Sequence, residues 1–240
     1  MEPQLDTQRL PRHIGIIMDG NGRWAAQHGK RRVQGHEAGA ASVRAVIKAC
    51  RELGIEGLSL YAFSTENWRR SKQEVNALFR LLSKYMRKEI EELAQNDVRV
   101  RFQGRLDGLP AQARKDVEYC LERTRGNKAL SVNVALNYGG RQEIVDAARQ
   151  IAREVKAGTL QPEEISEDVF ARRLYLPEFG DLDLLIRTSG ELRVSNFMLW
   201  QISYAEIVVT PVLWPDFRKE HLVEAILEFQ SRKRRYGGRP

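Results

Sequence analysis

Short apolar runs alternate along this chain with longer amphipathic segments, and that alternation limits the fold more than any other feature. The runs are rich in Ile, Val and Leu, and we predict buried strands at residues 13–18, 58–63, 98–103, 131–136, 182–187 and 206–209. Between them, apolar residues recur every three or four positions at 75–93, 144–155 and 222–229, which indicates helices. The sequence therefore predicts an α/β domain with a largely parallel central sheet of about six strands wrapped by helices.

The length and patterning indicate one domain without a membrane span. The chain has 240 residues, enough for a full-sized core, and no proline- or glycine-rich linker or internal repeat divides it. We expect a single domain over 1–240, with 1–12 and 238–240 flexible. The longest apolar runs fall short of the roughly 20 residues that a membrane-spanning helix needs. With no secretory signal visible, a cytoplasmic protein is expected.

The charge balance is basic, with 39 Lys and Arg against 32 Asp and Glu, a formal net charge of +7. Such a surplus suits nucleic acid, an anionic membrane surface or a phosphorylated small substrate, and composition does not separate these partners. The two cysteines, Cys50 and Cys120, have no partner at metal-ligand spacing, so we expect small core residues.

Polar and glycine-rich residues follow several predicted strands, at the positions where open α/β sheets bind ligands. The first such segment reads Asp19, Gly20, Asn21, Gly22, Arg23 and Trp24. Its glycines let backbone amides approach an anion, and Arg23 has the forked donors that suit phosphate oxygens. An aspartate beside phosphate indicates a divalent cation such as Mg²⁺ between the two. Because Asp-Gly and Asn-Gly are also common turn dipeptides, a simple turn remains an alternative.

A basic cluster follows shortly afterwards and leads to Arg32 and His36. These two residues are four apart, so a helix would place them on one face, close enough to the first loop to contact the same anion. A solvated basic face is the alternative.

The segment after the second strand combines hydroxyls, a carboxylate, an amide and an indole. It contains Ser64, Thr65, Glu66, Asn67 and Trp68, with Arg70 close by. A helix N-cap by Ser64 or Thr65, or by Ser71 with Glu74 at capping-box spacing, explains part of this composition. A cap does not require Asn67 or Trp68, and we interpret these two as binding residues.

Two arginines and several hydroxyls surround a glycine after the fifth strand. Arg187, Arg193 and Ser195 form a predicted phosphate clamp, for which a charged surface loop is the weaker alternative. Farther on, Glu206 lies in a mainly apolar stretch, where a buried carboxylate must be paired or metal-bound. Together with Asp19, it is a candidate metal ligand.

Five segments, in order and over nearly the whole chain from His13 to Gly238, resemble the cis-prenyltransferase family. They are IGIIMDGNGRW at 14–24, LYAFSTENW at 60–68, NYGGR at 137–141, IRTSGELRVSNFML at 186–199 and LWPDF at 213–217. The resemblance implies that farnesyl diphosphate binds at the first loop and isopentenyl diphosphate at the arginine clamp.

The resemblance also implies roles for the candidate residues. Asp19 would act with Mg²⁺ and Asn67 in removal of a proton, while Glu206 would be a second metal contact that reaches a partner subunit in some members. The implied substrate-binding residues are Gly20, Asn21, Gly22, Arg23, Trp24, Arg32, His36, Ser64, Thr65, Glu66, Trp68, Arg70, Arg187, Arg193 and Ser195, joined by Arg235 and Gly237 from the other subunit of a homodimer. Leu192 stands where some members carry a metal-binding histidine, which leaves ligation to Asp19, Glu206, diphosphate and water.

The implied reaction is repeated condensation of isopentenyl diphosphate onto farnesyl diphosphate, with each new double bond cis and the growing chain in an apolar tunnel. Ala62 and Leu130 are candidates for the tunnel's wall and floor, or ordinary core residues. The implied product is a long-chain polyprenyl diphosphate of undecaprenyl length, a precursor of the lipid carrier for cell-wall glycan synthesis.

Other interpretations are a shorter-chain synthase, a silent subunit of a prenyltransferase, or a non-catalytic protein that binds anions or nucleic acid. Silent subunits lack the loop aspartate, and the arginines cluster with glycines and carboxylates rather than in a nucleic-acid motif. We therefore expect an enzyme that binds no nucleic acid, with the basic tail at 232–235 as a candidate contact with the inner membrane surface.

Overall fold

A six-stranded parallel sheet forms the centre of the protein, for which the computed structural model describes residues 5–233. The strands are β1 (His13–Ile17), β2 (Gly57–Ser64), β3 (Val98–Gln103), β4 (Leu130–Tyr138), β5 (Leu184–Arg187) and β6 (Glu206–Val209). They lie in the order β3-β4-β2-β1-β5-β6, and each neighbouring pair is parallel. The predicted strands and the parallel sheet are confirmed, although β2 and β4 are longer than predicted.

Helices pack against this sheet. Within the described residues they are α1 (Asn21–Gln27), α2 (Arg32–Leu53), α3 (Lys72–Gln95), α4 (Ala111–Arg123), α5 (Gly140–Lys156), α6 (Glu167–Ala171) and α7 (Lys219–Ser231). The three predicted helical stripes lie in α3, α5 and α7. The long helix α2 was not predicted from periodicity, because its buried face includes small residues such as Gly35, Gly39 and Ser42 in place of large apolar ones.

The ends of α3 and α5 follow signals that the sequence carries. Ser71 Oγ accepts a hydrogen bond from the Glu74 amide at 3.2 Å, so the predicted cap of α3 is confirmed. Gly158 follows the end of α5 with a φ of +72°, the left-handed conformation that glycine adopts just beyond a helix.

The core lies on both faces of the sheet. On β1, Ile14 packs with residues of α2 and α7, whereas Ile17 packs on the opposite face with Tyr138 and Phe197. Cys50 and Cys120 are fully buried free thiols in this core, as predicted, and burial raises the pKa of Cys50 to about 12.

An apolar cavity of about 310 Å³ lies between α2, α3 and the sheet. Its lining includes Val43 and Ile47 of α2, Leu78 and Leu82 of α3, and Leu60 and Val134 of the sheet. Ala62 also lines it, whereas Leu130 is fully buried in the core at the start of β4.

Part of the N-terminal segment expected to be flexible is anchored to the domain. The Asp6 amide donates a hydrogen bond to Gln230 at 3.1 Å, and the Arg12 amide donates one to Asp183 at 2.8 Å. The predicted tail residues Arg235 and Gly237 and the segment 238–240 lie outside the described residues. Within residues 5–233, none of the helices has the length and apolar character needed to cross a membrane.

Candidate active site

The loops after β1 and β5 are joined at the carboxyl edge of the sheet. The Asp19 carbonyl accepts hydrogen bonds from the Thr188 hydroxyl at 2.6 Å and the Trp214 amide at 3.0 Å. Arg23 donates to the Ser189 carbonyl at 2.9 Å and to the Ser189 hydroxyl at 2.5 Å. These bonds fix the predicted anion loop against the predicted arginine clamp.

The glycines of the first loop permit close approaches. Gly20 has a φ of +107°, and a Cβ there would lie about 3 Å from Leu213 and Ser189, so a side chain at this position would be strained and crowded. A Cβ at Gly22 would lie 3.4 Å from Arg32 Nε. The basic cluster that includes Arg32 therefore folds back onto the first loop, as the sequence indicated.

Asp19 is held by neighbouring donors. Its Oδ1 accepts a hydrogen bond from the Gly20 amide at 2.7 Å, and its Oδ2 accepts one from Arg187 at 2.8 Å, with Arg23 at 3.5 Å. Partial burial acts to raise the pKa of this carboxyl, but the hydrogen bonds and both positive charges together lower it. Asp19 is therefore ionised at neutral pH. Arg187 and Arg23 balance the charge of Asp19. An aspartate at this position is therefore stable with or without a divalent cation.

Arg187 forms the centre of the clamp. Its side chain is 5% exposed, and its Nη1 donates to the Arg193 carbonyl and to Ser195 Oγ, both at 2.6 Å. Its buried Nε has no hydrogen-bond partner among residues 5–233, which leaves one donor unsatisfied. The Arg193 side chain is 56% exposed and pairs with Glu191 at 2.6 Å. Of the two arginines predicted for the clamp, Arg187 is therefore buried and fixed, whereas Arg193 faces solvent.

A second basic group surrounds His36 at the start of α2. Arg32 and Arg70 both pair with Glu74, at 3.3 and 3.0 Å. Burial, then the charges of Arg70 and Arg32, lower the pKa of His36 to about 4, so its imidazole is neutral at physiological pH. Its Nε2 is buried without a hydrogen-bond partner in the described part of the chain. The predicted pair of Arg32 and His36 is therefore joined by Arg70 from the loop after β2.

The segment after β2 forms a 3₁₀ turn, Thr65–Arg69, in which capping accounts for more than the sequence indicated. Asn67 Oδ1 accepts a hydrogen bond from the Ser64 amide at 3.1 Å. Trp68 donates its indole N–H to Asn137 at 2.7 Å and packs edge-on against Phe63. The inference that a cap leaves Asn67 unexplained is therefore corrected, and Trp68 has a packing role in the structure.

A polar pocket of about 490 Å³ opens beside the clamp. It is lined by Ile17, Tyr61, Ser64, Glu66, Asn67, Arg187, Ser195 and Asn196. Tyr61 and Asn67 also line the apolar cavity, as do His36 and Arg70. The two spaces therefore lie side by side at Tyr61 and Asn67, an arrangement that suits a ligand with an anionic head and an apolar tail.

Comparison with known proteins agrees with this geometry. The sequence model of the family described as "Putative undecaprenyl diphosphate synthase" matches residues 17–237. An isoprenyl transferase of Heliobacterium mobile is 50% identical over 238 residues, which cover 99% of this chain and 92% of that protein. The chain belongs to this family. It is a prenyltransferase, as the sequence predicted.

Two solved structures resemble this prenyltransferase along nearly its whole length. Lavandulyl diphosphate synthase from Lavandula x intermedia, in complex with dimethylallyl diphosphate, has a TM-score of 0.93 and 36% identity, covering 96% of this chain and 99% of that one. A probable undecaprenyl diphosphate synthase from Campylobacter jejuni has a TM-score of 0.79 and 35% identity, covering 95% and 98%. The fold predicted from the strand pattern and the family predicted from the five motifs are confirmed.

Glu206 does not lie near Asp19 within one chain of the prenyltransferase. Ile14 pairs with Leu184 and Leu184 with Glu206, so Glu206 is level with a residue five positions before Asp19. That is roughly 16 Å along the sheet, at about 3.3 Å per residue. Glu206 is also partly exposed and forms an ion pair with Arg232 at 2.8 Å. The expectation that Glu206 is buried is corrected; of the two expected alternatives, pairing or metal binding, the structure shows pairing. A metal contact from Glu206 would have to reach another subunit.

The donor set around Asp19 fits a Mg²⁺ ion that is shared with a substrate diphosphate. One carboxylate, here 30% exposed, together with phosphate oxygens and water is a common Mg²⁺ arrangement. Within residues 5–233, no group of three or more His, Cys, Asp and Glu side chains could hold an ion alone. Mg²⁺ at this site would therefore depend on the substrate for part of its ligands.

Several contacts of the site were not predicted from the sequence. Trp24 donates its indole N–H to Asp216 at 2.8 Å and stacks on His28, so its contacts in the structure are within the protein. Tyr61 lines both cavities. The sequence did not indicate this, because the position of its side chain is defined only once the arrangement of the strands in the sheet is known. Asn196 directly follows Ser195, and this proximity was the one signal that pointed to it.

Proposed function

We propose that this prenyltransferase joins isopentenyl diphosphate repeatedly to an allylic diphosphate, with farnesyl diphosphate as primer and each new double bond cis. The observation that carries the proposal is that Tyr61 and Asn67 line both the polar pocket and the apolar cavity, so that the two spaces lie side by side at this junction. A reaction between two diphosphates with apolar tails needs two anion sites beside one apolar space. The basic groups on the two sides of this junction match that requirement.

The allylic diphosphate is assigned to the mouth of the apolar cavity. His36 and Arg70 line that cavity, and Arg32 shares the carboxylate of Glu74 with Arg70. A bound diphosphate would compete with Glu74 for both arginines, because each of its oxygens accepts the same forked donors. The neutral imidazole of His36 adds a hydrogen bond without a full positive charge.

Isopentenyl diphosphate is assigned to the polar pocket. Arg187 and Ser195 line this pocket, and Arg193 extends from the same loop toward solvent. Glu191 pairs with Arg193 and with Arg23, at 2.6 and 3.2 Å, so it keeps both cations near the pocket. A diphosphate that enters would exchange these surface pairs for charge-assisted hydrogen bonds of its own.

In the proposed step, the C1–O bond of the allylic diphosphate breaks and its electron pair leaves with the diphosphate. The C4 alkene carbon of isopentenyl diphosphate forms the new bond to C1, and a proton leaves C2. Arg32 and Arg70 stabilise the negative charge of the leaving diphosphate. Asp19 would hold Mg²⁺, which when bound would supply Lewis-acid stabilisation of the same charge. The amide of Asn67 is not basic, so it orients the reacting groups while a phosphate oxygen or water takes the proton.

The product and the assembly extend this proposal. The family description names undecaprenyl diphosphate, and we carry that chain length over to this chain, with a shorter product as the alternative. A homodimer would let Arg235, Gly237 and Glu206 of one subunit reach the site of the other. A cytoplasmic enzyme near the inner membrane surface would release its lipid product where that product is used.

Product analysis tests the proposal. The purified chain is incubated with farnesyl diphosphate, labelled isopentenyl diphosphate and Mg²⁺, and the dephosphorylated products are sized by chromatography. We expect incorporation that EDTA abolishes and excess Mg²⁺ restores. Dimethylallyl diphosphate, which the lavandulyl diphosphate synthase structure holds, is the matched alternative primer. A lack of incorporation with either primer would overturn the proposed reaction, and short products alone would overturn the undecaprenyl assignment.

A further inference from the structure

Asn196 connects three loops at the carboxyl edge of the sheet. Its carbonyl accepts a hydrogen bond from the Gly140 amide at 2.7 Å, and its Oδ1 accepts one from the Arg141 amide at 2.8 Å. Its Nδ2 donates to Glu66 at 2.9 Å and to Gln142 at 3.2 Å. The loops after β2, β4 and β5 therefore meet at this one side chain.

The first turn of α5 depends on Asn196 for its cap. Gly139 precedes this helix and has no side chain with which to cap it, so the first helical amides need acceptors from elsewhere. The carbonyl and side-chain oxygens of Asn196 accept from two of them. A Cβ at Gly139 would lie 2.7 Å from Asn196 Nδ2, so glycine is what allows this close approach.

The backbone at Asn196 adopts a conformation that most residues avoid. Ser195 and Asn196 have φ values of +46° and +62°, in the left-handed region. Two such residues in succession persist where the surroundings fix them, and the hydrogen bonds of Asn196 provide that constraint. Ser195 directly precedes Asn196, so the contacts that fix Asn196 also fix the position of the Ser195 hydroxyl. This hydroxyl accepts the 2.6 Å hydrogen bond from Arg187.

We propose that Asn196 is a positioning residue that sets the geometry of the isopentenyl diphosphate clamp by fixing Ser195 against Glu66 and the start of α5. The inference rests on the proposed function, since that assigns the clamp to isopentenyl diphosphate. Its bond to Glu66 also has an electrostatic effect. Partial burial acts to raise the pKa of Glu66, and the hydrogen bond from Asn196 is the first of several that lower it.

The variant Asn196→Gly removes all three side-chain hydrogen bonds and keeps the left-handed backbone, which glycine adopts without strain. Losing the constraint on Ser195 should raise the KM for isopentenyl diphosphate on the order of tenfold, with the KM for farnesyl diphosphate unchanged. Direct titration of isopentenyl diphosphate into primer-free protein should give the same loss in Kd.

Asn127→Ala is the matched control for loss of stability. Asn127 donates two hydrogen bonds, to the Ala94 and Val98 carbonyls at 3.0 and 2.9 Å, beside the opposite end of the strands. Its loss should lower the Tm and leave the isopentenyl diphosphate Kd unchanged.

Asn196→Asp separates the one bond that the side chain accepts from the two that it donates. It keeps an acceptor for the Arg141 amide and replaces the donor to Glu66 and Gln142 with a second carboxylate oxygen. The Kd defect of this variant should shrink as the pH falls, because one of the facing carboxylates then takes up a proton and the hydrogen bond forms again. A general loss of stability would not produce that pH profile.

The outcomes of the two proposals can be told apart. Failure of the wild-type chain to extend a primer overturns the proposed reaction. The positioning role of Asn196 is tested separately, by comparing the Kd for isopentenyl diphosphate between the wild type and Asn196→Gly. A wild-type Kd in Asn196→Gly, or a defect in Asn196→Asp that does not depend on pH, would refute the positioning role. Equal weakening of both diphosphates would refute it as well.

Discussion

Replacing Arg187 with alanine tests the assignment of the isopentenyl diphosphate site. The side chain is nearly fully buried and donates hydrogen bonds to Asp19, to the Arg193 carbonyl and to Ser195. We expect Arg187→Ala to raise the KM for isopentenyl diphosphate, to leave the KM for farnesyl diphosphate largely unchanged and to lower the stability of the fold.

The hydrogen bonds that this substitution removes set the size of the effect. A charge-assisted hydrogen bond to a diphosphate is worth about 1.5–3 kcal/mol, which raises the KM roughly 10- to 150-fold. Inside the protein, Asp19 loses its nearest cation and two oxygen acceptors lose their donor, which costs about 2–4 kcal/mol of unfolding free energy. For a chain of this length the Tm should fall by roughly 4–16 °C.

Steady-state kinetics with labelled isopentenyl diphosphate at saturating primer, together with thermal denaturation, measure both effects. Arg193→Ala is the matched control, because this exposed side chain pairs with Glu191 alone and its loss should leave the Tm unchanged. Arg187→Lys keeps the charge without the forked geometry and should have an intermediate KM. If Arg187→Ala weakened farnesyl diphosphate binding and left isopentenyl diphosphate kinetics normal, the two site assignments would be reversed and the reasoning refuted.

Three further predictions concern the metal, pH and the tail. Asp19→Ala should lower kcat on the order of a thousandfold with an unchanged circular dichroism spectrum, because metal-assisted stabilisation of the leaving group is lost; near wild-type turnover would contradict the metal assignment. Stability should fall as the pH drops from about 6.5 toward 4, because burial lowers the pKa values of His13 and His36 to about 4 and the unfolded chain takes up these protons first; each histidine contributes up to about 1.4 kcal/mol per pH unit. Urea denaturation at several pH values measures this, His13→Gln should reduce the slope by the share of one histidine, and an unaltered slope would count against it. Deleting residues 236–240 should lower kcat with soluble substrates without dissociating the dimer, and mixing with Asp19→Ala subunits should restore part of the activity; no restoration would argue against shared tails.

The strands β1 and β5 were predictable because each is a short buried run rich in Ile and Leu, as buried parallel strands usually are. The strand β3 was predictable from the alternation of apolar residues with arginine. The carboxyl ends of the predicted strands then indicated where Asp19, Asn67 and Arg187 would meet, since a parallel sheet brings those ends to one edge. Helix α2 was harder to predict, because its first half buries the small residues Gly35, Gly39 and Ser42, and only its second half buries apolar side chains such as Val46 and Ile47.

Side-chain partners inside the site could not be predicted, because they depend on which loops face each other. Asn67 was interpreted as free of a capping role, yet its Oδ1 accepts from Ser64. Arg70 was placed with the second strand's loop, and the structure shows that it shares Glu74 with Arg32 from α2. The pair of Arg32 and Glu74 joins residues far apart in sequence, and a single sequence contains no signal for it. The bond between Ser64 and Asn67 is local, and its three-residue capping spacing was a signal that the interpretation overlooked.

The place of Glu206, in contrast, could have been inferred from the strand prediction itself. Residues 206–209 were predicted as a strand, and the first residue of a parallel strand lies at the edge opposite the site. Within one chain Glu206 is therefore remote from Asp19, and the structure bears this out through its register with Leu184. Glu206 pairs with Arg232, the first residue of the basic stretch that leads to the tail. If the tail of one subunit reaches the other's diphosphate site, this ion pair fixes where that tail leaves the domain, and Glu206 acts through the tail's position even without touching the metal.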